Sequence, residues 1–204
     1  MEEAQLIELA RNGDRDAFAQ LLQRYEKPVY HQALRMVGSA EDAADMTQDA
    51  FIKAWQGLPN FQGGSSFSTW LYRITGNVCI DFLRREKKRR GEPSLDDADS
   101  GLAAQLADPA PSPQRTLERE ELRQAVSAAL SRLSDDHRQV LILREVSGLS
   151  YEEIGQALDL SPGTVKSRLA RARLSLASFL RKSGNISDYL PSISTDGSKG
   201  GDRT

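Results

Sequence analysis

Cysteine occurs once in this chain, at Cys79, which excludes an internal disulfide and any cysteine-rich metal site. Nothing therefore implies an oxidising compartment, and Cys79 reads as buried packing. Long apolar runs are missing too. No stretch approaches the roughly 18 apolar residues of a membrane span, and the opening MEEAQ is acidic where a secretory signal is basic. The chain reads as a cytosolic protein that does not insert into a membrane. Alternation of apolar and polar residues is nowhere long enough for a strand, so the fold class is all-α. With 204 residues of which 39% are hydrophobic, two small helical domains fit better than one large one. No internal repeat is apparent.

What the sequence does have is segregated charge beneath a formal net charge of -2. Residues 1–60 carry ten acids against six bases, residues 62–91 seven bases against two acids, and residues 92–121 eight acids against two bases. From Gly163 through Lys182 there are six bases and no acid. The overall balance argues against a nucleic-acid partner, whereas the local pattern gives two basic footprints of the kind that attract phosphate.

Helical spacing organises the chain. Phe18, Leu21, Leu22, Tyr25, Val29 and Ala33 form one stripe, with Pro28 an expected kink. Ser39 and Asp42 predict a capped helix running to about Trp55, which LPNFQGGSS then breaks. Phe67, Leu71, Ile74, Val78 and Phe82 mark a helix running out into RREKKRR. The spacing places a first domain at residues 1–91. Residues 92–116 are acidic, rich in proline and small residues, and read as a flexible tether. A second domain spans 117–183, and residues 184–204 have little to bury and read as a disordered tail.

The second domain carries the sharpest local signal. Gly148 can end one helix, Ser150 with Glu153 makes a capping box for the next, and Ser161 caps a third whose first residue is Pro162. Helix, tight turn, helix is the geometry that lays a second helix in the major groove. On that helix Val165, Leu169, Ala172 and Leu176 share one face. Lys166, Ser167, Ala170 and Arg171 lie opposite, flanked by Arg168 and Arg173. Outward residues near the helix start suit base edges and flanking arginines suit phosphates. A solvated basic helix is the bland reading, and the complete cap, turn and stripe argue against it.

LSDDHRQVLILREVSGLSYEEIGQALDLSPGTVKSRLARAR resembles region four of bacterial RNA polymerase sigma factors of the extracytoplasmic-function group. The resemblance implies that this helix binds the minus-thirty-five promoter element, with Lys166, Ser167, Ala170 and Arg171 at the contact positions. Ala170 departs from the larger residue of some members. FQGGSSFSTWLYRITGNVCIDFLRR resembles region two of the same group, over about Asp16 to Arg90. That implies capture of flipped minus-ten bases by the loop from Phe61 through Gly64, Ser65 and Ser66 to Phe67, and by the following helix with Trp70, Arg73, Asn77, Arg84 and Arg85. Read by itself, Trp70 fits core packing as well as it fits a stacking platform, and Tyr72 fits the core better. RREKKRR fits a solvated helix end or, preferably, phosphate contact.

The acidic helix gathers Glu41, Asp42, Asp45 and Asp49, with Gln48 and Lys53 beside them. Clustered carboxylates suit Mg²⁺ in a diphosphate-using enzyme, but no second acidic cluster or phosphate-holding site accompanies these. A solvated face is the plain alternative. The resemblance favours a third: Asp42, Asp45, Gln48, Asp49 and Lys53 match the segment by which sigma factors dock on the clamp of the polymerase's largest subunit. The expectation is a two-domain initiation factor without catalytic residues, cofactor or metal. Its partners would be core RNA polymerase, promoter DNA and an anti-sigma factor that holds it inactive until a stress or envelope signal. The tether would span the domains through the polymerase's RNA exit path. The alternatives are a mimic that only sequesters an anti-sigma factor, which has little use for a basic recognition face, and a stand-alone helix-turn-helix regulator, which needs a dimerisation element.

Overall fold

The structure, a computed structural model, describes residues 1–89 and 113–182, with side chains in the second segment from residue 121 onward. Most of the predicted tether and all of the tail lie outside the described residues. Eight α-helices and one 3-10 turn form the described part, and no strand occurs in it. The first four helices are α1 (Glu3–Arg11), α2 (Arg15–Val37), α3 (Ala40–Gly57) and α4 (Phe67–Arg89), with the turn at Leu58–Asn60. The remaining four are α5 (Pro113–Ser131), α6 (Asp135–Glu145), α7 (Tyr151–Leu158) and α8 (Pro162–Lys182). Helix α5 opens four residues inside the span read as tether. Its first residue is Pro113, which suits a helix start because its missing N–H is one that no helix start uses.

Local chemistry sets these boundaries. The Asp14 carboxylate accepts from the backbone N–H groups of Asp16 and Ala17, which starts α2. Ser39 Oγ accepts from the Asp42 N–H at 3.3 Å and starts α3. Gly38 ends α2 at φ +82°, a left-handed conformation that side chains other than glycine's resist. The helix continues through Pro28. Helix α1, which the stripe analysis did not reach, is short and buries Leu6 and Ala10.

Helices α2, α3 and α4 pack on one another, with α1 across α2. Leu21, Val29, Ala33, Leu71 and Val78 fill the centre, and Ala43, Ala50 and Ala54 give α3 a small-residue face that lets its neighbours close in. Each large aliphatic buried here stabilises the fold by roughly 1.5–3 kcal/mol. In the second unit α6, α7 and α8 pack together around Leu143, Ile154, Val165, Leu169 and Ala172.

The sequence suggests separate globules, but α6 and α7 pack directly against α2 and α4, and one continuous apolar core runs through both units. Arg138 carries that junction. It is 3% exposed although charged. Its guanidinium donates to Leu130 O (2.9 Å), Ser131 O (2.8 Å) and Leu133 O (3.1 Å) around the end of α5, and to Met36 O (3.0 Å) in the last turn of α2. A buried cation is tolerated where it meets carbonyls that helix ends leave unpaired, which also carry the negative end of the helix dipole.

Candidate nucleic-acid interface

Helix α7 enters through a complete capping box. Ser150 Oγ accepts from the Glu153 N–H at 3.1 Å, and the Glu153 carboxylate accepts from the Ser150 N–H at 2.8 Å. That pairing holds the Glu153 carboxyl below its usual range. The turn between α7 and α8 is closed by Asp159 in the left-handed conformation at φ +55°. Leu160 O stands 2.7 Å from where a Gly155 Cβ would be, so only glycine lets the turn fold this tightly. Ser161 Oγ then accepts from the Thr164 N–H at 3.2 Å and starts α8.

Val165, Leu169 and Ala172 of α8 point into the core, and Lys166, Ser167, Ala170 and Arg171 are exposed. The flanking arginines are less available than the sequence suggests. Arg168 pairs with Asp136 at 2.8 Å and Arg173 with Glu145 at 2.6 Å. Lys166 and Arg171 therefore form the centre of the outward basic face. Leu174, 68% exposed, continues that face by one turn.

On the first unit the structure separates residues that the sequence grouped. Trp70 is 9% exposed, its ring 5.0 Å from that of Phe61 and 5.6 Å from that of Phe67, with Gly57 against it. Phe61 and Phe67 are buried as well. The three rings thus form an aromatic core under the loop, because packing them together removes more apolar surface from water than displaying them. What the loop leaves outward is Gln62, Gly63, Gly64 and Ser66, with Ser65 partly covered. Ser66 Oγ accepts from the Thr69 N–H at 3.1 Å and so starts α4. Asn77 and Arg84 are exposed and Arg73 half-buried along one strip of α4, whereas Arg85 is exposed on the side that faces α3, in the wall of a groove with Asp45, Gln48 and Asp49. Arg84 and Lys87 share Asp135 of α6 at 3.9 and 3.8 Å. This contact across the units is invisible to a reading that treats the domains as independent.

Asp45, Gln48 and Asp49 are exposed along α3 and Asp42 partly so, while Lys53 pairs with Asp81 at 3.9 Å. Among the described residues no group of three or more His, Cys, Asp or Glu side chains converges as metal ligands would. Gln48 stands between two grooves. One, about 390 Å³, has Asp45, Asp49, Ile52, Phe82 and Arg85 in its walls. The other, about 480 Å³, is more apolar and has Tyr30, His31, Ala44 and Phe51. Sequence reasoning picked the acids and missed Tyr30, Phe51 and Ile52, the last 56% exposed. An apolar residue left outward on an otherwise acidic helix is the signal that could have found it.

A helix-turn-helix unit with a basic outer helix, joined to a helical unit with an aromatic-cored loop and a basic helix end, has the outward chemistry of a nucleic-acid-binding protein, and comparison with known proteins places it in the sigma class. Family models agree: sigma-70 region 2 matches residues 21–89 and sigma-70 region 4 matches residues 123–176. The RNA polymerase sigma-H factor of Pseudomonas aeruginosa is 37% identical over 174 residues, covering 84% of this chain and 90% of that one. The ECF RNA polymerase sigma-E factor of Escherichia coli K12 is 39% identical over 170 residues, covering 82% and 88%. Among solved structures, CnrH in complex with the cytosolic domain of CnrY matches with a TM-score of 0.61 and 28% identity, over 87% of this chain and 96% of that one. The sigma factor RpoE in complex with the anti-sigma factor NepR, from Bartonella quintana, matches with a TM-score of 0.61 and 27% identity, over 80% and 96%. The chain belongs to the sigma-70 family, in its extracytoplasmic-function group. Among the described residues no helix is long and apolar enough to cross a membrane.

Proposed function

We propose that this chain joins core RNA polymerase, directs it to a particular class of promoters and assists strand opening there, without catalytic chemistry of its own. The observation that carries the reading is the outward face of α8, where Lys166, Ser167, Ala170 and Arg171 stand free of acids behind a fully capped turn. Minus-thirty-five duplex is held by that face, with Arg168 and Arg173 reaching flanking phosphates once they leave Asp136 and Glu145. The melted minus-ten strand lies along the loop at Gly64, Ser65 and Ser66 and along Arg73, Asn77, Arg84 and Arg85. Polymerase docks on α3 through Asp42, Asp45, Gln48 and Asp49. The complex of the similar RpoE with the anti-sigma factor NepR supports control of this chain by an anti-sigma factor, which releases it into the cytoplasm on a stress or envelope signal.

The test is runoff transcription with purified core polymerase on genomic fragments. The expected result is a set of discrete start sites that appear only when the chain is added. Promoter-independent product, or failure of the chain to co-purify with core enzyme, overturns the reading and leaves the anti-sigma mimic.

A further inference from the structure

The outward face of α8 holds one group that its charge does not account for. Leu174 is 68% exposed, more than any other large apolar side chain among the described residues. Scattered apolar residues are ordinary on a surface, so position has to carry the argument. Residues four apart on a helix lie one above the other, and Lys166, Ala170 and Leu174 therefore form a single line along α8. Ser167 and Arg171 form the line beside it, and all five are exposed. The ion pairs of this helix are made on its flanks, by Arg168 with Asp136 and Arg173 with Glu145. The Ser167 hydroxyl donates to Thr164 O at 3.0 Å, so its proton is spent on its own helix. The face thus has two cationic donors, Lys166 and Arg171, around an apolar pair, Ala170 and Leu174.

That pair acts as one surface. A leucine on a helix leans toward the N-terminus and covers the turn before its own Cα. Over Ala170 it meets a side chain that ends at Cβ, which leaves room for the leucine methyls beside the part of the helix that reads base edges. A larger residue at position 170 would fill that space alone; here a small residue and a leucine one turn further on fill it together.

The charge around the pair selects its partner. From Gly163 through Lys182 there are six bases and no acid, which favours a phosphate-bearing duplex over an apolar protein surface. In the major groove Lys and Arg donate to O6 and N7 of guanine, and the apolar group that the four ordinary bases present there is the 5-methyl of thymine.

We propose that Ala170 and Leu174 together read thymine, through an apolar contact with its 5-methyl group beside guanine read by Lys166 or Arg171. The inference rests on the reading of α8 as a duplex-binding helix and deepens it by naming the base chemistry of its element. Leu174 is a specificity residue: its loss changes which sequence is chosen more than how firmly the backbone is held.

Deoxyuridine, which is thymine without the methyl, tests this directly. Duplexes randomised over about ten base pairs, one turn of the double helix, are selected by the full chain at low salt from two pools, one made with thymine and one with deoxyuridine throughout. The thymine pool should yield thymine at a fixed offset from guanine, and the deoxyuridine pool should keep the guanine and lose the preference at that offset. Replacing that one thymine by deoxyuridine in the selected duplex should weaken binding about three- to fourfold by fluorescence anisotropy, the worth of one buried methyl. Leu174→Gln, an exposed change to another good helix former, should bind the two duplexes alike. Selection without a thymine position, a deoxyuridine pool that keeps its preference there, or a Leu174→Gln chain with the wild-type methyl penalty overturns the inference. The selection contains no polymerase. A chain that initiates at discrete sites yet ignores the methyl therefore sinks this inference alone, and one that reads the methyl but never joins core enzyme sinks the sigma-factor reading alone.

Discussion

At the scale of single residues, exposure divides the basic and aromatic side chains into those that shape the protein and those that face its surroundings. Trp70 and Arg171 make the contrast testable. Trp70 is wedged among Phe61, Phe67 and Gly57, and Arg171 is exposed on α8. Trp70→Ala should lower unfolding stability by about 3–5 kcal/mol, because it empties an aromatic core. Arg171→Ala should leave the urea midpoint unchanged and weaken minus-thirty-five duplex binding by about 1–3 kcal/mol, read by fluorescence anisotropy. A Trp70→Ala protein of wild-type stability that has lost only single-strand binding would restore the stacking role that its burial argues against. Cys79 belongs with the structural group: it is fully buried, and burial pushes its thiol up to about 12, so it is not a reactive nucleophile at neutral pH.

At the scale of elements, the capping box of α7 ties the recognition unit to pH. The Ser150 N–H and hydroxyl hold the Glu153 carboxyl below the ordinary glutamate value of 4.5. A carboxyl whose folded value is depressed adds stability that is present above about 4.5 and is lost as the pH falls through the lower folded value. Glu153→Gln should therefore be less stable than wild type at pH 7, with the difference narrowing as the pH is lowered past 4.5. Denaturation followed at several acidic pH values checks this; a constant difference would assign the effect to packing instead. Elements of this kind were the most legible part of the sequence. Ser39, Ser150 and Ser161 each cap the helix that their spacing announces, since a cap depends on residues three positions away and on nothing distant. The junction was not legible. Nothing local in the sequence marks Arg138 or Gln139 as buried, and only carbonyls contributed by α5 and α2, far apart in the chain, make the burial of Arg138 tolerable. Trp70 was ambiguous for the same reason, since its environment is set by a loop folding back over it.

For the whole molecule, the distribution of cations predicts how binding responds to salt. Displacing counterions from duplex DNA gives a slope of log affinity against log salt of about −0.9 for each phosphate neutralised. In the free chain Arg168 and Arg173 are held by Asp136 and Glu145, and Arg84 and Lys87 by Asp135, leaving Lys166 and Arg171 as the principal unengaged cations of the α8 face. Binding of minus-thirty-five duplex by the free chain should accordingly be weak, with a shallow slope of roughly −2. On the proposed reading, polymerase that holds both faces against one promoter would add the minus-ten contacts and convert the second binding event into an intramolecular one, raising affinity through effective concentration rather than through new side chains. Substituting Asp136→Asn and Glu145→Gln together should steepen the free chain's slope toward −4, as Arg168 and Arg173 become available to phosphate. Anisotropy titrations between low and physiological salt measure both slopes. If the double variant keeps the wild-type slope, Arg168 and Arg173 do not reach the backbone, and the DNA face of α8 narrows to Lys166, Ser167, Ala170 and Arg171.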